Sequence, residues 1–299
     1  MYNLEEYMGN TPLVKIKNIF GDKYANVYVK LEEFNPAGSI KSRVAYQMII
    51  DAENKGKLKP GMALLEATGG NTGMGLAFIS SMRGYDLTLV IPDNFSQEKI
   101  NVLKQYGAKI ILSDHKTGVG SHIRLANKLL EEDKSFYHLD QFHNFSNPRA
   151  HYLGTGKEII SQLNGNIHCF VAGIGSGGTI GGISKRLKEF NSQIAIYGVQ
   201  PDGCDYLNNK TISHKIEAIS VGIESVFFNK SILNGMISVR YDEVLELISI
   251  LAMNQGIFVG LSSGANILAS LKLSRQFPKS YNIVTVAPDS GKSYLPHLR

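Results

Sequence analysis

Gly175-Ser176-Gly177-Gly178-Thr179 is the stretch of sequence that decides the fold. The apolar run over 167–172 before it predicts a β-strand, and the run after it predicts a helix ending near Phe190. Glycines in such a turn let backbone N–H groups approach an anion, and the positive end of the helix dipole adds to the attraction. The stretch therefore predicts a phosphate-binding turn in an α/β protein.

Two other interpretations of this turn stay open at this point. Gly173, Gly175 and Gly178 fit the G-x-G-x-x-G pattern of dinucleotide-binding proteins. The next predicted strand, over 194–199, ends just before Asp202, where such proteins place a ribose-binding acid. A plain tight turn would also account for the glycines. Because the short pattern is weakly specific, the rest of the chain has to decide.

Composition excludes several classes of protein. The chain has 299 residues with 43% hydrophobic and 19% charged residues, which is typical of a globular protein of one or two domains. The net charge of +5 is spread without blocks, so nucleic acid is not an expected partner. The only cysteines are Cys169 and Cys204, so no disulfide is expected. We expect the protein to work in a reducing cytoplasm. No apolar run reaches membrane-spanning length.

Strand-like and helix-like segments alternate along almost the whole chain. This alternation predicts an α/β fold with two mostly parallel, twisted sheets flanked by helices. The predicted strands are 27–31, 63–67, 87–91, 109–112 and three more near residues 167, 194 and 283. The predicted helices include 40–55, 74–82, 97–106 and 121–132. In such folds ligands bind beyond the carboxyl ends of the strands, where each glycine motif of this chain falls.

Lys41 lies at the start of a predicted helix, after Asn35-Pro36-Ala37-Gly38-Ser39-Ile40. Positive potential at that helix end disfavours the ammonium form, which would make the amine easier to deprotonate. A deprotonated lysine can form a Schiff base with an aldehyde cofactor. The competing interpretation is an ordinary exposed lysine, which is the common case.

Two further motifs stand at helix starts. The loop from Thr68 to Gly73 offers backbone amides and hydroxyls that suit a carboxylate, or else Asn71 or Thr72 simply caps the helix. In the segment 260–264, Ser262 is placed to bond a ring nitrogen, or Ser263 caps the helix. No group of histidines and cysteines has the spacing of a metal site, so no metal is expected.

Taken in this order, the motifs resemble one family. The chain looks like a cysteine synthase (O-acetylserine sulfhydrylase) or a cystathionine β-synthase, within the tryptophan-synthase-β-like fold of enzymes that use pyridoxal 5'-phosphate. The resemblance runs from Gly9-Asn10-Thr11-Pro12-Leu13-Val14 to Pro288-Asp289-Ser290-Gly291, which is nearly the whole chain. It displaces the dinucleotide interpretation and implies pyridoxal phosphate as the cofactor, bound in the cleft between two domains.

The resemblance also implies roles by position. Lys41 would form the Schiff base and move the proton at the substrate Cα, Asn71 would bond the cofactor's ring hydroxyl, and Ser262 would meet the pyridine nitrogen. The phosphate would be held by Gly175, Ser176, Gly177, Gly178 and Thr179. The substrate carboxylate would be held by Thr68, Gly69, Gly70, Thr72 and Gln141. A serine does not keep the ring nitrogen protonated, which favours loss of a β-substituent, through an aminoacrylate, and its replacement.

Three positions depart from the family pattern, and two of them bear on substrate choice. Ser42 replaces the aspartate that usually follows the lysine, and Gly69 replaces a serine of the carboxylate loop. Glu224 replaces a glycine in a loop that faces the site, unless it points to solvent. Facing the site, Glu224 would protonate a thiolate leaving group or bind the ammonium of a second amino acid. It is therefore a catalytic candidate for an enzyme that consumes cysteine.

The expected activity is thus β-replacement on a serine-type amino acid. Cysteine synthesis from O-acetylserine and sulfide is the first of the expected reactions. A lyase or β-replacement enzyme that consumes L-cysteine and gives hydrogen sulfide, or a cystathionine β-synthase-like enzyme, follows, and a non-catalytic binding homologue is more remote. The resemblance implies a smaller domain over 35–142 and a larger one over 1–34 and 143–299. It also implies a homodimer and a serine acetyltransferase as a partner.

Overall fold

The computed structural model describes residues 4–118 and 120–297. Contacts divide the chain into two compact units, Met1–Met8 with Ile40–Asn147 and Gly9–Ser39 with Pro148–Arg299. Two of these boundaries lie five residues beyond the predicted ones at 34/35 and 142/143. The predicted domain limits themselves stay a prediction. Among the described helices, none combines the length and the apolar character needed to cross a membrane.

The described residues form ten strands and nine α-helices. The strands are β1 (Leu13–Ile16), β2 (Asn26–Leu31), β3 (Ala63–Glu66), β4 (Leu87–Pro92), β5 (Lys109–Ser113), β6 (Phe136–His138), β7 (Cys169–Gly173), β8 (Ala195–Pro201), β9 (Gly235–Val239) and β10 (Asn282–Ala287). The helices are α1 (Lys41–Asn54), α2 (Asn71–Arg83), α3 (Gln97–Gln105), α4 (Ser121–Glu132), α5 (Ser146–Ala150), α6 (Gly156–Gln162), α7 (Gly178–Phe190), α8 (Tyr241–Gln255) and α9 (Leu261–Ser274). A π-helical turn, His151–Thr155, joins α5 to α6.

The smaller unit contains a four-stranded sheet in the order β5-β4-β3-β6, with every pair parallel. Helices α1 and α2 pack closely in this unit because Gly75 of α2 carries no side chain. A Cβ at Gly75 would lie 2.8 Å from the carbonyl oxygen of Lys41. This close approach fixes the first residue of α1 beside α2.

The larger unit contains a six-stranded sheet in the order β1-β2-β10-β7-β8-β9. Only β1 runs antiparallel to its neighbour, with Leu13 opposite Lys30. Every residue of α9 except Lys272 is buried, so this helix forms the centre of the core. The Asn266 amide in α9 pairs with two strands: Nδ2 donates to the Val286 carbonyl at 2.9 Å, and Oδ1 accepts from Gly173 N at 2.7 Å. Its buried polar atoms therefore hold the end of β7 in place.

The predicted alternation of strands and helices is confirmed, and so are the two mostly parallel sheets. Seven predicted strands and five predicted helices are present, with ends shifted by at most three residues; helix 121–132 has the predicted bounds, and the helix after the glycine turn ends at Phe190. Strands β1, β6 and β9 were not predicted. The first two have four and three residues, too few for the alternation of apolar and polar residues to mark them.

Candidate active site

The glycine stretch forms the turn that the sequence predicts. It joins β7 to α7, and Gly177 has a φ of +84°, a conformation that favours glycine. As the N-cap, Gly177 has no side chain to offer, and Gly178 N has only a long contact of 3.4 Å with Ser176 Oγ. The N–H groups of the first turn of α7 are therefore suited to a ligand. The loop after β8 packs onto this turn so closely that a Cβ at Gly175 would collide with the carbonyl oxygen of Ala218.

Thr179 is linked to a buried histidine that the sequence did not single out. Its hydroxyl lies 3.3 Å from Nε2 of His151, and Nδ1 of His151 lies 3.0 Å from the hydroxyl of Thr155. His151 is fully buried, and it packs under Gly182 of α7, where a Cβ would lie 2.8 Å from the Cβ of His151. This chain of contacts fixes the side chain of Thr179. No spacing of residues in the sequence predicts the contact between His151 and Thr179, because π-helical turns carry no clear sequence signature.

Ser262 and Ser263 have different surroundings at the start of α9. The N-cap is Gly260, without a side-chain bond, so the prediction that Ser263 caps this helix is wrong. The Ser263 hydroxyl instead donates to the carbonyl and to Oδ1 of Asp289, both at 3.2 Å. Ser262 is 3% exposed, and its hydroxyl makes no hydrogen bond within the described part of the chain. The hydroxyl of this largely buried residue is therefore available to a ligand atom.

Asp289 organises this end of the larger unit. Its Oδ2 accepts from the Tyr294 hydroxyl at 2.8 Å, and burial raises the pKa of Tyr294 with help from the negative charge of Asp289. The turn around Asp289, to which the sequence assigned no chemistry, therefore has a structural role. It holds the helix start that presents Ser262.

Glu224 is exposed. Its side chain is 56% exposed, and Oε1 lies 2.9 Å from Nζ of Lys230. Lys230 in turn donates to Asn209 Oδ1 at 2.5 Å and lies over the ring of Tyr206, 5.2 Å from its centroid. This is the arrangement expected for a solvent-facing carboxylate, so the dry surroundings expected of a proton donor are not found. The catalytic role of Glu224 stays a prediction.

In the smaller unit, Lys41 lies in the first turn of α1, as predicted, and is its first residue. Burial lowers the pKa of Lys41 to about 8, and the negative charge of Glu66 partly opposes the shift. The sequence also predicts a lowered pKa for Lys41, but there the expected cause is the positive potential at the helix end. Burial is the larger cause, so Lys41 is not the ordinary exposed lysine of the competing interpretation. Glu66, which is 3% exposed at the end of β3, was not predicted.

The loop after β3 carries the other predicted residues of this unit. Gly70, not Asn71 or Thr72, is the N-cap of α2, and it makes no side-chain bond, so the capping interpretation is wrong. The Thr72 hydroxyl donates instead to Oε1 of Gln141 at 2.6 Å, and both residues are buried. Two residues that lie 69 positions apart in sequence are therefore brought together, as a shared carboxylate site requires. Thr68 stands at the start of the same loop.

The described residues include one cluster with metal-type ligands, formed by Asp93, Asp114 and His115. All three are exposed, and the Asp93 carboxylate already accepts from the backbone and the ring of His115. It lies apart from the predicted site residues in sequence and carries no metal assignment. The expectation that the chain needs no metal stays a prediction.

Comparison with known proteins places these features in one family. A family model described as pyridoxal-phosphate dependent enzyme matches residues 4–289. A cysteine synthase of Staphylococcus aureus is 39% identical over 295 residues, covering 98% of this chain and 95% of the relative. These matches confirm the resemblance that the sequence motifs indicate.

Comparison with solved structures points to the same kind of enzyme. The crystal structure of a hydrogen sulfide-producing enzyme from Fusobacterium nucleatum is 36% identical, with a TM-score of 0.92 and 98% of each chain covered. An O-acetylserine dependent cystathionine beta-synthase from Helicobacter pylori is 32% identical, with a TM-score of 0.92, 99% of this chain and 97% of that chain covered. The match of the family model over nearly the whole chain decides the assignment: this chain belongs to the pyridoxal-phosphate dependent enzymes.

Proposed function

We propose that this protein catalyses β-replacement on a serine-type amino acid, and that its reaction is the synthesis of L-cysteine from O-acetylserine and sulfide. The observation that carries the proposal is Lys41, a lysine at a helix start whose pKa burial lowers to about 8. The identity of 39% to a cysteine synthase over 98% of the chain supports this reaction.

The residues of the larger unit fit pyridoxal phosphate. The turn from Gly175 to Thr179 offers backbone N–H groups at a helix start, which suit a phosphate dianion. Ser262 is 3% exposed and its hydroxyl has no partner among the described residues, so the hydroxyl would supply a hydrogen bond to the pyridine nitrogen. In the smaller unit, Asn71 would bond the ring hydroxyl.

Bound pyridoxal phosphate supplies two groups: an aldehyde, which reacts with an amine, and a ring that withdraws electrons. The ε-amine of Lys41 would make the covalent bond to that aldehyde and would take the proton from the substrate Cα. Both tasks need the neutral amine, and a pKa of about 8 leaves a useful fraction neutral near pH 7. A lysine with an ordinary pKa would be almost wholly protonated there.

The substrate carboxylate would be bound by the loop of the smaller unit. The Thr72 hydroxyl donates to Oε1 of Gln141 at 2.6 Å, and this bond orients the Gln141 amide so that its Nε2 would donate to an incoming carboxylate. Thr68 and Gly70 would add a hydroxyl and a backbone N–H. The side chain that the family carries at position 69 is missing here, so Gly69 contributes backbone alone.

A second candidate is an enzyme that consumes cysteine and releases hydrogen sulfide. The Fusobacterium nucleatum structure, titled a hydrogen sulfide-producing enzyme, makes this reaction relevant. Glu224 would donate a proton to the leaving thiolate after its exposed pair with Lys230 opens and its carboxylate takes up a proton from solvent. Exposed ion pairs stabilise by only about 0–1 kcal/mol, so the opening costs little.

The remaining expectations concern the oligomeric state, the cellular location and the binding partners of the protein. We propose a homodimer in the cytoplasm, with small amino acids as substrates and a serine acetyltransferase as a possible protein partner. A non-catalytic homologue is the remote alternative. The intact Lys41, Asn71, Thr179 and Ser262 speak against it, because a binding protein has no need of all four.

An absorbance experiment tests the proposal. The purified protein, supplied with pyridoxal phosphate, is scanned before and after addition of O-acetylserine, and sulfide is added last. A visible band that O-acetylserine changes and sulfide restores supports cysteine synthesis. The same change caused by L-cysteine, with sulfide released, favours the second candidate. A colourless protein, or a Lys41→Ala variant with full turnover, would refute both.

A further inference from the structure

The larger unit contains a cavity of about 470 Å³ that the proposed reaction does not use. It lies between α6 and α7, and each helix lines it with three residues spaced i, i+3 and i+4, namely Lys157, Ile160 and Ser161 of α6 and Arg186, Glu189 and Phe190 of α7. Small-molecule sites usually have volumes of about 300–1,000 Å³. We propose that this cavity binds a phosphorylated aromatic molecule, with its phosphate on Arg186 and Lys157 and its ring on Phe190.

The two cations of this cavity have no acidic partner. Neither Lys157 nor Arg186 forms an ion pair with any residue that the structure describes. Nη1 of Arg186 makes only a long contact of 3.4 Å with the Tyr152 hydroxyl, and the buried Nε has no hydrogen-bond partner among the described residues. The carboxylate of Glu189 accepts a hydrogen bond from the same hydroxyl at 2.5 Å. The cations therefore suit an anionic group, and a guanidinium can donate two parallel hydrogen bonds to a phosphate.

The guanidinium of Arg186 is held in place without a ligand. Its Cζ lies 5.3 Å from the centroid of the Tyr152 ring, which is a cation–π contact. Gly156 lets α6 approach α7 closely at this point, because a Cβ there would lie 2.9 Å from the Cβ of Arg186. A side chain that is already fixed loses little conformational freedom on binding, so more of the interaction energy remains for the ligand.

Phe190 supplies an aromatic surface to the cavity. It is 51% exposed, which leaves much of its apolar surface uncovered. Its ring packs against Gly165, which has a φ of +74°, and a Cβ at Gly165 would lie 2.5 Å from Cζ of the ring. An exposed ring held in this way is suited to stack with a planar ring of a ligand. The cavity therefore combines a cationic and an aromatic side, and only a molecule with both a phosphate and a ring would use the two together.

The cavity is separate from the glycine turn that is proposed to hold the cofactor phosphate. Both involve α7, but Thr179 lies in its first turn and Phe190 is its last residue. At about 1.5 Å per residue, the helix between these two residues spans roughly 16 Å. A ligand in the cavity would therefore leave the glycine turn free, so the site can be tested with the cofactor bound. Nucleotides and the relatives of pyridoxal phosphate both carry a planar ring and a phosphate, and they are the two sources of such a ligand.

Isothermal titration calorimetry on the protein loaded with pyridoxal phosphate tests this site. The probes are AMP and pyridoxamine 5'-phosphate, which has no aldehyde and so cannot react with lysines. Adenosine, which lacks the phosphate, and inorganic phosphate, which lacks the ring, are the ligand controls. The variants are Arg186→Met, Lys157→Met and Phe190→Leu. Lys185→Met is the control variant, because Lys185 lies over the same Tyr152 ring, 5.5 Å from its centroid, and carries the same charge but does not line the cavity.

We expect at least one probe to bind with a Kd that depends on the lining residues. The Kd should rise about tenfold in Arg186→Met, through loss of charge-assisted hydrogen bonds, and about threefold in Lys157→Met, whose ammonium is exposed. It should rise about fivefold in Phe190→Leu, which removes the stacking ring, and stay constant in Lys185→Met. Tighter binding of AMP would identify a nucleotide as the ligand, and tighter binding of pyridoxamine 5'-phosphate would identify a relative of the cofactor.

Three results would overturn the inference. The first is that neither probe binds the wild-type protein at millimolar concentration. The second is a Kd that is unchanged in both Arg186→Met and Lys157→Met, which would place the bound probe elsewhere. The third is that inorganic phosphate or adenosine binds as tightly as the probes, so that one side of the cavity contributes nothing. None of these results bears on the proposed function, because every titration is done without a substrate.

Discussion

Gly69 lies directly against Ile91. A Cβ at position 69 would be 2.8 Å from Cγ2 of Ile91 and 3.0 Å from Cε1 of Phe95. Ile91 is fully buried in β4 and stiff at its branched Cβ, so it cannot move aside cheaply. The residue that departs from the family pattern is thus matched to its neighbours. Restoring a serine at this position would need room that Ile91 and Phe95 now occupy.

Substituting Gly69 should therefore destabilise the protein. We expect Gly69→Ala to lower the free energy of unfolding by about 1–3 kcal/mol, the usual cost of overpacking. A Cβ added to the neighbouring Gly70 would meet nothing within 4 Å, so Gly70→Ala is the control without a clash and should cost only about 0.5–1 kcal/mol, the preference of an N-cap for glycine over alanine. Denaturant unfolding of both variants without cofactor makes the comparison. Equal costs would show that the contact with Ile91 does not constrain this loop.

Adjacent serines give a second comparison, at the start of α9. Ser263→Ala should lower the free energy of unfolding by about 1–2 kcal/mol, because it leaves buried Asp289 short of a donor. Ser262→Ala should barely change stability without cofactor, since its hydroxyl has no partner to lose among the described residues. The same variant should weaken pyridoxal phosphate binding, measured by fluorescence titration. If Ser262→Ala were the less stable of the two, its hydroxyl would have a structural role instead.

Much of the fold could be predicted from the sequence, because glycine turns and apolar runs are local signals. The turn at Gly175 and the helix starting at Lys41 are of this kind. Partners that are distant in the chain could not be predicted in this way. Ser263 bonds Asp289 rather than the helix end, and Gly69 is packed by Ile91 of the next strand. Single-residue preferences predict caps and exposed lysines at such positions, and tertiary contacts override them.

The bond between Thr72 and Gln141 allows a test of the carboxylate site. Thr72→Val keeps the shape of the side chain but removes the hydroxyl that donates to Gln141 at 2.6 Å. We expect KM for O-acetylserine to rise about tenfold, with a smaller effect on kcat, because carboxylate binding is lost alike in ground state and transition state. Thr72→Ser restores the hydroxyl and should restore KM. A rise of KM in Thr72→Ser equal to that in Thr72→Val would point to packing as the cause.

The pKa of Lys41 sets the pH at which the protein can take up its cofactor. Only the neutral amine attacks an aldehyde, so the rate of pyridoxal phosphate incorporation should rise about tenfold per pH unit well below the pKa and level off above it. With a pKa of about 8, the plateau should begin near pH 8 rather than above 10. The visible absorbance that develops on mixing cofactor with the stripped protein measures this rate. Glu66→Gln removes the charge that raises this pKa, so its profile should shift to lower pH. A rate still climbing tenfold between pH 9 and pH 10 would mean that burial does not lower the pKa of Lys41, and the main argument for its catalytic role would be lost.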